Sequence, residues 1–188
     1  MPHLFASLLF VIGSIFFLPV LSSYGSLGAK IFALGVFIFL ILNFNNFYDA
    51  LKNYDKDLPR FLTFLEISAI LLYLIGELTY LLGIYFFIFE PINAFSAGLY
   101  FLVGSVLFTL APIFNLLLPT KDYSHYKRML IKSNDVCNII AGLLFTAGSI
   151  PYLWTGFSLN LHNLMALEFI FGSIALSIGS VFSQINLN

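Results

Sequence analysis

Leu-Phe-Val-Ile-Gly-Ser-Ile-Phe-Phe (residues 9–17), Leu-Tyr-Leu-Ile-Gly-Glu-Leu-Thr-Tyr (72–80) and Leu-Phe-Thr-Ala-Gly-Ser-Ile-Pro-Tyr (144–152) are three versions of one apolar stretch centred on Gly13, Gly76 and Gly148. A second apolar run follows each, with its own glycine: Gly35, Gly104 and Gly179. The recurrence predicts three helical hairpins, at about 3–47, 62–118 and 135–186, in a single domain over 1–188.

Composition fixes the solvent. The chain is 60% hydrophobic and 9% charged, with a mean hydropathy of +0.98. Soluble domains carry about 25% charged residues. A chain of this length cannot hide so much apolar surface from water, so lipid must face it. The predicted fold class is all-α: a polytopic membrane protein with six transmembrane helices, its three hairpins in parallel orientation. The spans fall at about 3–21, 27–47, 62–88, 94–118, 135–155 and 163–186. Met1-Pro2-His3 lacks the basic start of a signal peptide, so the first run is read as a membrane helix.

Lysine and arginine placement predicts the orientation. Lys52, Lys56 and Arg60 lie between spans two and three; Lys121, Lys127, Arg128 and Lys132 lie between four and five. Only Lys30 falls elsewhere. Those loops, and with them both termini, are expected in the cytoplasm, which suits a bacterial inner membrane. Lys121, Lys127, Arg128 and Lys132 are the candidate contact for a cytosolic partner or an anionic lipid surface.

The glycines belong to a heptad pattern. Ala6/Gly13, Ala69/Gly76 and Ala141/Gly148 mark the first helices; Gly28/Gly35, Ala97/Gly104 and Gly172/Gly179 mark the second. Two small residues a heptad apart share one helix face. In lipid such faces hold helices together by close backbone approach. They predict packing within each hairpin, or assembly with a second copy or a membrane partner. Serines after the glycines (Ser14, Ser105, Ser149 and Ser180) are expected to bond one turn back or to a neighbouring helix. The stripe Ser173, Ser177, Ser180 and Ser183 reads as a packing seam or as a wet face.

The cores Phe101-Leu-Val-Gly-Ser-Val-Leu-Phe108 with Ala111-Pro112, and Asn138 through Ser149 with Gly179-Ser-Val-Phe182, resemble the YrhK-like family of small bacterial membrane proteins. The likeness covers 64–118 and 136–186, and 4–46 more loosely. It departs at Glu77, where serine is expected, and at Gly35-Val36. It implies a helical-hairpin membrane unit and transfers no catalytic residue.

Glu77 stands out. It is expected near the middle of a span, where an ionised carboxylate costs roughly 2.5–3.5 kcal/mol. Tyr73 and Tyr80 share its helix face, and Glu66 lies three turns earlier. Glu66, Tyr73, Glu77 and Tyr80 are either a proton or cation path or a hydrogen-bonded seam. Tyr152, Trp154 and Tyr24 are expected in the outer aromatic belt.

The remaining classes fall away. Phosphate binding needs a basic patch, and the net charge is −1, so nucleic acid is not expected. The single cysteine, Cys137, forms no internal disulfide. No nucleophile–base pair, metal-ligand spacing or nucleotide loop is evident, so no enzyme activity, catalytic residue, metal or cofactor is expected. The expected function is that of a non-enzymatic assembly, partner-binding or sensing subunit. A small channel or transporter using Glu77, or a membrane effector of a stress or defence system, is the rival.

Overall fold

A computed structural model describes residues 1–52, 59–89, 94–119, 124–154 and 158–187. These form α1 (Pro2–Ile15), α2 (Gly25–Lys52), α3 (Arg60–Phe89), α4 (Ala94–Leu117), α5 (His125–Ser149) and α6 (Leu159–Leu187). No strand occurs among the described residues. The fold is that of an all-α polytopic membrane protein, with five helices among the described residues long and apolar enough to cross a bilayer.

The first helix is shorter than expected. Fourteen residues rise about 21 Å, against about 30 Å of hydrocarbon. Pro19 explains the stop. It forces extended backbone on the residue before it, and Leu18 sits at φ −59°, ψ 136°. A 3-10 turn (Pro19–Tyr24) then leads into α2. The α5 helix ends on its Gly-Ser pair and likewise runs into a 3-10 turn (Ile150–Leu153), which holds buried Pro151.

Each helix packs on its neighbours in sequence, and α6 packs back on α1. Six antiparallel helices thereby close into a ring. Its outside is apolar and exposed, as with Phe37, Phe44, Phe64, Leu78 and Ile178. An apolar exterior of this extent suits lipid contact.

Small residues hold each hairpin together. A Cβ on Gly13 would lie 2.8 Å from the Gly28 carbonyl oxygen; one on Gly35 would lie 2.9 Å from that of Ala6. In the third hairpin Gly148 faces the Met165 carbonyl and Gly172 that of Ala141. In the second, Gly76 faces Gly104, and Gly83 faces Ala97 and Phe101. The register therefore departs from the sequence alignment. Gly83, not Gly76, meets its partner helix as Gly13 does, and Gly172, not Gly179, corresponds to Gly35. Gly179 faces the side chains of Asn134, Cys137 and Asn138 instead.

Aromatic rings fill the interior. Phe10, Tyr80 and Phe145 come from the first helices of the hairpins, and Phe32, Phe101 and Phe169 from the second; all six are buried. Tyr80 and Phe145 lie 6.3 Å apart, Phe32 and Phe169 6.2 Å, and Phe145 and Phe169 5.6 Å, within the usual range of ring pairs. The inward position of Tyr152, 6.3 Å from the Phe101 ring, removes it from the expected outer belt; Trp154 and Tyr24 are exposed and fit there.

Candidate functional site: a polar vestibule with a buried acid

The interior changes character along its axis. At the end where α2 and α4 finish and α3 and α5 begin, it opens into a cavity of about 360 Å³. All six helices contribute to its wall. His3 comes from α1, Asn43 and Asn46 from α2, Tyr73 from α3, Asn115 from α4, Asn134 and Asn138 from α5, and Ser180 and Ser183 from α6. Phe39, Phe108 and Leu176 line its deep end.

The same three apolar side chains bound a second space of about 10 Å³, with Glu77, Phe10, Phe32, Val36, Tyr80 and Phe145 around it. That volume is at the limit for one water. A third space of the same size lies among Phe17, Phe32, Ile84, Phe87, Phe101, Tyr152 and Phe169. Among the described residues the vestibule is thus blind: a collar (Phe39, Phe108 and Leu176) and then the packed aromatic layers close it.

Glu77 sits just beneath the collar and is 3% exposed. Asn43 Nδ2 donates to Glu77 Oε1 at 2.6 Å. Asn46 Nδ2 donates in turn to Asn43 Oδ1 at 3.3 Å. Two amides therefore link the buried carboxyl to the vestibule wall. Glu77 Oε2 is buried and has no hydrogen-bond partner. A buried acceptor left unsatisfied costs about 1–3 kcal/mol.

A second acid lies close by. Asp135 is 3% exposed within α5 and accepts a hydrogen bond from Asn115. Tyr73 shares a side-chain hydrogen bond with Asn138, and its ring meets Phe108 edge-on at 5.3 Å. These polar pairs join different hairpins. Asn43–Glu77 ties the first to the second, and Asn115–Asp135 ties the second to the third. Ser14 and Ser173, 3.1 Å apart, tie the third back to the first.

The expected stripe is brought together only in part. Tyr73, Glu77 and Tyr80 face inward. Tyr80 lies one layer deeper, where its hydroxyl and that of Ser105 are 2.6 Å apart. Glu66 is exposed on the outer face of α3 and does not join them. Leu65 and Ala69 take the buried positions of α3 at that level. The serine stripe divides in the same manner. Ser173 and Ser177 bond one turn back within the packed part, and Ser183 lines the vestibule.

Of the basic candidates, Lys127, Arg128 and Lys132 lie in the first turns of α5. Arg128 has its Nε buried, Lys132 is exposed, and the Lys127 amide caps its helix by donating to Ser124 Oγ at 3.3 Å. Lys121 lies outside the described residues, as do Lys56 and Glu90. Among the described residues no three His, Cys, Asp or Glu side chains gather as metal ligands.

The asparagines are the vestibule residues that sequence reading passed over. Their signal was present: amides recur at one end of α2, α4 and α5. Charge-based scanning of apolar helices gives uncharged amides no weight. No family model matches the chain, and no curated protein or solved structure matches it.

Proposed function

We propose that this chain is a non-enzymatic membrane subunit that binds or senses through its one-sided polar vestibule. In this reading the vestibule faces the cytoplasm of a bacterial inner membrane, because Lys and Arg concentrate at that end. The YrhK-like resemblance agrees with a small hairpin protein of this kind. The observation that carries the reading is the blind end. A cavity of about 360 Å³ is of ligand-pocket size and stops at a collar backed by packed rings. Polar groups converge in it from all six helices, as in a binding site.

The small-residue faces are used inside the hairpins. A second copy or a protein partner would therefore meet the lipid-facing exterior or the basic segment at the start of α5.

The rival reading, a channel or transporter, draws on one observation: Glu77 lies near the axis with an unpartnered oxygen. Ion and proton flux through liposomes carrying the purified protein separates the two. Folded protein that passes neither ions nor protons is expected. Flux that Glu77→Gln abolishes would overturn the binding reading in favour of conduction.

A further inference from the structure

We infer that the vestibule takes a small organic ammonium ion, held over the Phe39–Phe108 collar and drawn in by Glu77. The inference deepens the binding reading and rests on it.

Charge comes first. Glu77 is buried beneath the collar and Asp135 is held by the wall residue Asn115. Among the described residues no Lys or Arg lines the cavity, and His3 is the one basic side chain on its wall. Glu77 is 97% removed from solvent with one oxygen unpartnered. Such a group calls for a counter-charge, because an unpaired acid in the membrane is costly. The amide chain from Asn46 through Asn43 to Glu77 runs with every donor pointing at the carboxyl. That direction leaves acceptor character at the outer end, where a cation arrives.

Size and lining then select the kind of cation. At about 30 Å³ per water, the cavity holds on the order of a dozen waters. A bare inorganic ion would remain hydrated in such a space. An organic ammonium fills more of it and gains from aromatic walls. Phe39, Phe108 and Tyr73 line the cavity, and rings within about 6 Å attract ammonium groups. The asparagine amides can take the hydrogen bonds of its polar substituents.

The test is equilibrium binding of radiolabelled choline to the full chain in nanodiscs. Competitors are potassium and 3,3-dimethylbutan-1-ol, the neutral isostere of choline. Saturable binding is expected, at least tenfold weaker in Glu77→Gln and unchanged in the outward-facing Glu66→Gln. Ser183→Trp, at the vestibule wall and outside the packed core, should abolish it. That variant also decides the matter should Glu77→Gln not fold. Absence of saturable binding to folded protein would overturn the inference, as would binding indifferent to Ser183→Trp. Potassium competing at equal concentration would overturn the organic assignment, and equal binding of the neutral isostere would overturn the charge argument. All of these outcomes are independent of liposome flux, which alone decides the blind-vestibule reading.

Discussion

Asn43 and Glu77 form the most consequential pair in the chain. Each is buried, and the 2.6 Å bond between them joins two hairpins. A satisfied side-chain bond in a membrane averages only about 0.6 kcal/mol, because the separated helices find other partners. An orphaned buried group costs more, about 1–3 kcal/mol. Asn43→Leu leaves both Glu77 oxygens without a partner and should destabilise the protein by about that amount. The double variant Asn43→Leu/Glu77→Leu removes the orphan and should recover more than half of the loss. Equilibrium unfolding in mixed micelles measures both. Additive losses would mean that the bond is incidental.

At the scale of the element, the glycines differ in what opposes them. A Cβ on Gly13 meets the Gly28 carbonyl at 2.8 Å and the Phe32 amide nitrogen at 2.9 Å. Both are backbone atoms and can yield only by separating the helices. On Gly76 the nearest atom is the Gly104 carbonyl at 3.2 Å, and on Gly25 nothing lies within 4 Å. Overpacking of this kind costs about 1–3 kcal/mol. Gly13→Ala should therefore fall at the upper end of that range and Gly76→Ala at the lower. Gly25→Ala should stay within about 0.5 kcal/mol of the parent. Thermal unfolding followed by circular dichroism ranks the three, and any other order would refute the register described for the hairpins.

At the scale of the whole molecule, closure of the ring depends on rings from different helices meeting on its axis. Phe32 from α2 contacts Phe10, Phe17, Tyr80, Phe145 and Phe169, which belong to α1, α3, α5 and α6 or adjoin them. Phe32→Ala should cost about 3–5 kcal/mol. Phe61→Ala, on a 65% exposed side chain facing outward, should cost little by the same unfolding measurement. The blind vestibule makes a second prediction. In a Cys137→Ser background, Ser183→Cys should react with a membrane-impermeant thiol reagent applied to the cytoplasmic face. Ser105→Cys, fully buried among the rings, should not. Labelling of Ser183→Cys from the opposite face would invert the proposed orientation.

Helix formation, the pairing of helices into hairpins and the apolar exterior are legible in the amino-acid sequence. These follow from local quantities: hydropathy over about 20 residues, prolines that stop helices, and small residues repeated along one face. The sequence also singled out Glu77, because a carboxylate in an apolar run is conspicuous. Register was beyond it for a physical reason. Ala69, Gly76 and Gly83 recur every seven residues, so sliding α3 by a heptad lays small residue on small residue at no local cost. The closure of α6 on α1 and the fit of rings on the axis choose among those equivalent alignments. The same closure decided the site. Asn43, Asn115 and Asn138 lie on three helices far apart in sequence, and each alone is an unremarkable amide. Only the ring brings them to one cavity, turns Glu66 outward and leaves Glu77 beneath the collar.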